Sequence, residues 1–177
     1  MRIVGGKYKG RTFTPSKNFT ARPTTDLAKE ALFNILNNRY DFQELKILDL
    51  FAGTGSIGYE FISRNASEVT FVEKNPLHVR FIQEVVDKLK IENARVIRDD
   101  AFRFIKFTKY KFDIIFADPP YDFPYIAEIP PAVTQSELLQ PQGLLILEHS
   151  KDQNFNNTSF YTETRQYGKV NFSFFTK

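Results

Sequence analysis

Asp118-Pro119-Pro120-Tyr121 is the segment whose residue types point most directly to chemistry. An aromatic amino group is a poor nucleophile because its lone pair is delocalised into the ring. It must be held and repolarised while a new bond forms. The carboxylate of Asp118 and the carbonyl of Pro119 could each accept one N–H bond and favour a pyramidal nitrogen in the transition state. The prolines stiffen the turn without adding a donor, and Tyr121 could stack on a base. The segment predicts a site that alkylates an amino nitrogen.

A glycine-rich segment upstream has the form of a loop that binds a nucleoside-type cofactor. Its sequence is Asp49-Leu50-Phe51-Ala52-Gly53-Thr54-Gly55-Ser56-Ile57-Gly58. Such glycines let the backbone turn sharply and approach a ligand at the N-terminus of a helix. Glu73 stands 20 positions after Gly53, where a carboxylate can accept hydrogen bonds from both hydroxyls of a ribose. Taken alone, the pattern fits a nicotinamide dinucleotide as well as S-adenosylmethionine.

Other polar residues give less specific signals. Asp100, in Arg98-Asp99-Asp100-Ala101, could accept a hydrogen bond from the adenine amino group of a cofactor, cap the following helix, or do both. His78 and His149 are interpreted as ordinary structural or surface histidines. The chain has no cysteine, which excludes a disulfide framework and a thiolate metal site. We expect no metal.

The elements that must position these residues follow from hydrophobic periodicity. Strands are predicted at residues 47–50, 69–73, 94–97, 112–117 and 144–147, and helices lie between the first three strands and at about 25–38. Strands that are apolar nearly throughout imply a parallel sheet covered by helices on both faces. Residues 161–166 and 169–175 predict a terminal antiparallel hairpin. We expect one α/β domain over residues 1–177.

Basic residues are concentrated at the N-terminus, although the net charge is only +3. Residues 1–25 contain six Lys and Arg and no Asp or Glu, whereas the rest of the chain has 18 basic and 21 acidic residues. Clustered basic residues gain affinity for nucleic acid by releasing condensed counterions. We interpret residues 1–24 as a basic arm within the domain, with a solvated tail as the alternative. Its candidate RNA-binding residues are Lys7, Lys9, Arg11 and Arg22.

The N-terminus has no apolar segment of the signal-peptide type, and no later run approaches the roughly 18 apolar residues of a spanning helix. A cytoplasmic location is therefore expected.

The glycine loop, Glu73, Asp100 and Asp118-Pro119-Pro120-Tyr121 together resemble the class I S-adenosylmethionine-dependent methyltransferases. Three N-terminal segments narrow the resemblance to the RsmD family of bacterial small-subunit rRNA guanine-N2 methyltransferases. They are residues 1–11, Arg22-Pro23-Thr24-Thr25-Asp26, and residues 30–36. The resemblance covers nearly the whole chain, including Ser63-Arg64, Phe71-Val72-Glu73 and Tyr167-Gly168.

This resemblance implies a Rossmann-like fold with a mostly parallel seven-stranded sheet and a reversed last strand. It implies an S-adenosylmethionine pocket formed by Asp49, Ala52, Gly53, Thr54, Gly55, Glu73, Asp100 and Ala101. Residues 118–121 would hold the amino group of a guanine in 16S rRNA. The arm would contact that rRNA, within a small ribosomal subunit or an assembly intermediate.

Two positions depart from the family pattern. Asn65 stands where the family usually has glycine after Ser63-Arg64, and Asn also tolerates a left-handed helix end. Asp99 stands where glycine usually precedes Asp-Ala, so the adenine contact could fall on Asp99 or on Asp100.

Several other functions stay open at this point. The motif also suits adenine N6 in DNA or a glutamine side chain, although the basic arm and the lack of a visible DNA-recognition domain favour RNA. A nicotinamide oxidoreductase shares the glycine loop but leaves the segment from Asp118 to Tyr121 unexplained. A non-catalytic RNA-binding module would require that the fold had lost cofactor binding, which the intact loop argues against.

Overall fold

The computed structural model describes residues 1–15 and 24–177, and a seven-stranded sheet forms its centre. In chain order, strands β1 to β7 are Lys46–Leu50, Glu68–Glu73, Ala94–Arg98, Phe112–Ala117, Leu139–His149, Tyr161–Tyr167 and Val170–Thr176. They are arranged in the sheet as β3-β2-β1-β4-β5-β7-β6. Strands β1 to β5 run parallel, and β7 lies antiparallel to both β5 and β6.

Helices pack on both faces of this sheet. In chain order, α1 to α5 are Asp26–Asn37, Ser56–Ser63, Pro76–Leu89, Ala101–Phe107 and Ile129–Thr134, with short 3-10 helices at Phe42–Glu44 and Ile126–Glu128. Leu32, Phe61 and Ile82 of α1, α2 and α3 belong to one buried core, and Phe104 and Val133 of α4 and α5 belong to the other.

Strand β4 shows how one sequence supplies both cores. Successive side chains of a strand point to opposite faces. Accordingly, Ile114 and Phe116 lie in the core beneath α1 to α3, whereas Ile115 and Ala117 lie in the core beneath α4 and α5. This two-sided burial explains the almost continuous apolar run of the strand and confirms the predicted fold class.

The predicted elements differ from the structure mainly in β5 and α5. Strand β5 begins at Leu139, well before residue 144, because Leu139 pairs with Phe112 ahead of a register shift between Phe112 and Ile114. Gln142 has a positive φ of 64° within this irregular stretch, which conceals the strand pattern. Pro130 and Pro131 conceal helix α5 in the sequence, because proline usually interrupts a helix. In the structure both prolines occupy the first turn of α5, where backbone N–H groups have no partner within the helix, so the missing N–H costs nothing there.

The first thirteen residues form an antiparallel turn that packs on the body. The N-terminal amino group of Met1 donates to the carbonyl of Phe13 at 3.0 Å, and the backbone N–H of Ile3 donates to the carbonyl of Arg11 at 3.0 Å. Ile3 and Phe13 are buried. A solvated tail therefore does not describe this part of the arm.

A buried ion cluster fastens this turn to α1 and α2. The Glu60 carboxylate accepts the backbone N–H of Val4 at 2.7 Å and lies 3.4 Å from the Lys29 ammonium. It also pairs with Arg64. Lys29 and Glu60 are almost completely buried, and charges in such a position are tolerated because they are paired and hydrogen-bonded.

Lys7, Lys9 and Arg11 lie on the exposed side of the turn. Within residues 1–15 and 24–177, none of the three forms an ion pair. The turn contacts the C-terminal end of α2, where the backbone N–H of Lys7 donates to the carbonyl of Ser63 at 2.7 Å. These cations therefore lie at the amino edge of the parallel strands, while Asp118 lies at the carboxyl edge. The candidate Arg22 lies outside the described residues.

In the described part of the chain, every helix falls short of the length and apolar character needed to cross a membrane.

Candidate active site

The carboxyl ends of the parallel strands open into a cleft of about 1370 Å³. Ligands of open α/β sheets bind at this edge. All but one of the predicted cofactor-binding and catalytic residues line the cleft, namely Asp49, Ala52, Gly53, Thr54, Glu73, Asp100, Ala101, Asp118, Pro119, Pro120 and Tyr121. The exception is Gly55, which does not line it.

Gly55 instead shapes the loop. It caps α2 with a positive φ of 76°, and a Cβ at this position would lie 2.8 Å from the ring of Tyr59. At the next turn, the Asp49 carboxylate accepts the backbone N–H of Gly58 at 2.9 Å. Gly58 also has to be glycine, because a Cβ would collide with the ring of Phe71. These contacts fix the N-terminus of α2 against the end of β1.

Glu73 ties the same loop to the end of β2. One carboxylate oxygen accepts the backbone N–H of Gly53 at 2.8 Å, and the other accepts that of Asn75 at 2.7 Å. The Nδ1 atom of His78 lies 3.7 Å from the carboxylate. Each carboxylate oxygen can accept a second hydrogen bond, so Glu73 can hold the loop and still receive the hydroxyls of a ribose.

Ser56 provides an independent sign of a ligand in the cleft. Among the described residues its hydroxyl oxygen is buried and has no hydrogen-bond partner, and it lies at the start of α2. A buried polar group without a partner is costly unless a ligand or water satisfies it. A helix N-terminus favours a carboxylate. The loop, Ser56 and Glu73 therefore fit a ligand that carries hydroxyls and a carboxylate, as S-adenosylmethionine does.

Asp100 caps α4, as one of its two interpretations predicted. Its Oδ1 atom accepts the backbone N–H groups of Phe102 at 3.1 Å and Arg103 at 3.3 Å. Its Oδ2 atom lies 3.4 Å from the Lys74 ammonium. Asp99 lines the cleft beside it. The choice between Asp99 and Asp100 as the adenine contact stays a prediction.

The segment after β4 presents polar and aromatic groups to the cleft. Pro119 is buried and Tyr121 is half exposed, which suits a ring that stacks on an incoming base. The turn is braced because the backbone N–H of Phe123 donates to the carbonyl of Pro120 at 2.9 Å. The ring of Phe123 in turn packs against that of Phe51, with 5.4 Å between their centroids.

Three carboxylates meet at this edge of the sheet. Burial raises the pKa of Asp49 to about 8, although the hydrogen bond from the Gly58 backbone lowers it. Burial likewise raises the pKa of Glu148 to about 7, although the hydrogen bond from Thr24 lowers it. Burial, followed by the neighbouring charges of Glu148 and Asp49, raises the pKa of Asp118 well above its usual range. Within the described chain none of the three forms an ion pair. The cluster therefore favours ligands that bring positive charge or N–H donors.

Sequence reasoning missed several residues of the cleft, chiefly Glu148 and Thr24. Glu148 directly precedes His149 at the end of an apolar strand, and a carboxylate in that position is the signal that could have identified it. Thr24, Leu27 and the Tyr167–Val170 turn also line the cleft; they are brought there by tertiary packing.

His149 has the structural role expected of it, since its Nε2 atom lies 2.7 Å from the Ser173 hydroxyl.

The raised carboxyl pKa values predict a specific pH dependence of stability. Between the ordinary Asp pKa of 3.8 and the folded-state pKa of about 8, folded Asp49 holds a proton that the unfolded chain releases. Stability from this group is therefore lost as the pH rises. The lowered pKa of buried His149 acts in the opposite direction, but only near and below its ordinary value of 6.5. We expect the melting temperature of the ligand-free protein to fall by several degrees between pH 6.5 and 8.

Thermal unfolding of two variants checks the assignment of this effect. Asp49→Asn should show a shallower decline over that pH range, because asparagine has no proton to release. Asp152→Asn removes an exposed carboxyl group and should keep the wild-type profile. A profile for Asp49→Asn identical to that of the wild type would contradict the raised pKa.

Similarity to known proteins agrees with this geometry. The family model "Conserved hypothetical protein 95" matches residues 1–176. Ribosomal RNA small subunit methyltransferase D of Haemophilus influenzae is 33% identical in an alignment of 156 positions that covers 86% of this chain and 80% of that protein. The Escherichia coli K12 protein of the same name is 31% identical, covering 84% of this chain and 74% of that protein.

A solved structure extends the likeness to the whole fold. A hypothetical protein of Thermus thermophilus superposes with a TM-score of 0.87 and 31% identity, covering 99% of this chain and 98% of that one. The family resemblance predicted from the sequence is thus confirmed. The chain belongs to the RsmD family, the family that includes the ribosomal RNA small subunit methyltransferases D.

Proposed function

We propose that this protein transfers a methyl group from S-adenosylmethionine to the exocyclic N2 nitrogen of a guanine in small-subunit rRNA. The observation that carries the proposal is the position of Asp118 and Pro119. They place two hydrogen-bond acceptors at the carboxyl edge of the sheet, in the same cleft as the glycine loop and Glu73. Relatives named ribosomal RNA small subunit methyltransferase D support rRNA as the substrate.

Asp49, Gly53, Ser56 and Glu73 would hold the cofactor, which supplies a methyl group on a sulfonium when bound. The ribose hydroxyls would donate to Glu73, and the carboxylate end would meet the N-terminus of α2. A positive charge near Asp49 would lower the pKa values of the carboxylate cluster and favour the ionised form of Asp118. Cofactor binding would thereby prepare the acceptor for the amino group.

Asp118 and Pro119 would act on the amino nitrogen. Each accepts one N–H bond, and both hydrogen bonds strengthen as the nitrogen becomes pyramidal and its protons more acidic. The new nitrogen–carbon bond leaves a cationic amino group, which must then lose one proton. A carboxylate with a raised pKa next to that N–H is a suitable acceptor. In-line positioning of the two reactants supplies much of the remaining rate.

The target guanine would enter the cleft beside Tyr121, whose half-exposed ring offers a stacking surface. We propose that the substrate is a small ribosomal subunit or an assembly intermediate, in which Lys7, Lys9 and Arg11 contact rRNA at a distance from the cleft. A cytoplasmic location, where ribosomes assemble, accompanies this proposal.

The product identifies the reaction. Incubation with S-adenosylmethionine and rRNA or 30S particles, followed by nucleoside digestion and mass spectrometry, should yield N2-methylguanosine. Asp118→Ala should lower kcat by about 100- to 1,000-fold with little change in cofactor or RNA affinity, since the lost contact is made mainly in the transition state.

Two variants serve as comparisons. Asp152→Ala removes an exposed carboxylate that does not line the cleft and should keep turnover near the wild-type value. Tyr121→Ala should lose part of its activity through RNA affinity, because stacking is already present in the ground state. Detection of N6-methyladenosine in place of N2-methylguanosine would refute the substrate, and near-normal turnover of Asp118→Ala would refute the mechanism.

The basic arm generates a separate prediction. Replacing Lys7, Lys9 and Arg11 with alanine should weaken RNA binding and reduce the slope of log affinity against log salt by up to about one unit per lost phosphate contact. Filter binding at several salt concentrations measures both quantities. A triple alanine variant at the exposed Lys106, Lys109 and Lys151 loses the same charge and should keep the slope. An unchanged slope in the arm variant would exclude phosphate contacts at these residues.

A further inference from the structure

Glu148 lies directly beside Asp118, although the proposed mechanism does not use it. In the register of β4 and β5, Ala117 is the partner of Leu147. The next residues along the two parallel strands are Asp118 and Glu148. Neighbouring strands are about 4.8 Å apart, so the two carboxylates leave the sheet side by side. They also leave it on the same face, since matched residues of neighbouring strands point in the same direction.

The position of Glu148 is fixed rather than adaptable. It is 3% exposed and lines the cleft, and one carboxylate oxygen accepts the Thr24 hydroxyl at 2.8 Å. On the other side, Glu148 is paired with Phe172 of β7. A hydrogen bond from Thr24 stabilises the ionised carboxylate and leaves its other oxygen as an acceptor. When its carboxylate is ionised, as a cationic cofactor in the cleft would favour, Glu148 offers a third acceptor next to those of Asp118 and Pro119.

Three adjacent acceptors distinguish between the amino groups found in biological polymers. The amino group of guanine has a donor, the N1–H, on one side and an acceptor, N3, on the other. The amino groups of adenine and cytosine have a ring nitrogen acceptor and no donor beside them, and the amide group of glutamine has a carbonyl oxygen. An acceptor that faces another acceptor leaves both groups without a hydrogen bond, which is costly in a buried site. The cleft thus matches guanine alone among these groups.

We propose that Glu148 accepts the N1–H of the target guanine and is the residue that selects guanine over other amino-bearing groups. This inference rests on the proposed function, because it assumes that Asp118 and Pro119 receive the N2 amino group of the same base. Thr24 positions the carboxylate through its hydroxyl. The selecting contact forms on substrate binding and stays in place during methyl transfer.

The experiment compares guanine with 2-aminopurine at the methylated position. 2-Aminopurine keeps the N2 amino group but has an acceptor at N1. The methylated guanine is first mapped by mass spectrometry. A synthetic RNA segment that carries either base at that position is then ligated into the rRNA. If particles are the substrate, the ligated rRNA is reconstituted into particles. The measured quantity is the ratio of kcat/KM for guanine to kcat/KM for 2-aminopurine.

For the wild-type enzyme we expect a ratio of about 100 or more, because a site built to accept a substrate N–H strongly rejects the analogue that lacks it. Glu148→Gln should lower the ratio to within about 10-fold of unity. The glutamine amide can rotate to accept from guanine N1–H or to donate to the N1 of 2-aminopurine. Glu137→Gln makes the same change at a side chain that is 91% exposed and should keep the wild-type ratio.

The outcomes separate this inference from the function on which it rests. A wild-type enzyme that makes no N2-methylguanosine refutes the proposed function. A wild-type enzyme that methylates guanine but accepts 2-aminopurine equally well refutes the role of Glu148, whatever the variant does. The role is also refuted if Glu148→Gln keeps the full wild-type ratio. A ratio that falls in Glu148→Gln and persists in Glu137→Gln supports it.

Discussion

The crowding of three carboxylates at one edge of the sheet is the constraint on which the rest of the site depends. Asp49 and Glu148 are the next-to-last residues of β1 and β5, and Asp118 directly follows β4, which lies between those two strands. Burial raises the pKa values of all three carboxyl groups. Ionising them together without a partner is unfavourable. A cationic cofactor and a base edge that presents N–H donors would lower the free energy of ionising the three carboxyl groups. The cluster is therefore complementary to the two reactants of amino-group methylation.

Hydrogen bonds from the surrounding structure hold carboxylates of the cleft close together, although their negative charges would repel one another. Backbone N–H groups of the glycine loop hold Asp49 and Glu73, and the Thr24 hydroxyl holds Glu148. Thr24 stands next to the N-cap residue of α1. Helix α1 is in turn joined to α2 and the N-terminal turn by the buried pair of Lys29 and Glu60. The N-terminal turn is thereby attached to the helix whose start borders the active site.

Most of the sheet and the central motifs could be predicted from the sequence, because two-sided burial and the glycine loop leave local patterns. The φ of 67° at Asn65 also agrees with the left-handed helix end predicted there. What could not be predicted depends on contacts between distant segments. Thr24 and Glu148 are separated by 124 positions but meet at 2.8 Å, and no local pattern reports such a pair. Helix α5 was hidden because its prolines are compatible with a helix only in its first turn.

Calorimetric titration with S-adenosylmethionine and with NAD, repeated in buffers of different ionisation enthalpy, measures whether the carboxylate cluster selects a cationic cofactor. We expect S-adenosylmethionine to bind near pH 7 with release of up to about one proton, because its positive charge shifts a cluster with raised pKa values toward the ionised form. NAD, whose pyrophosphate is anionic, should bind far more weakly. Tight binding of NAD, or binding of S-adenosylmethionine with no proton release, would show that the carboxylate cluster does not select a cationic cofactor.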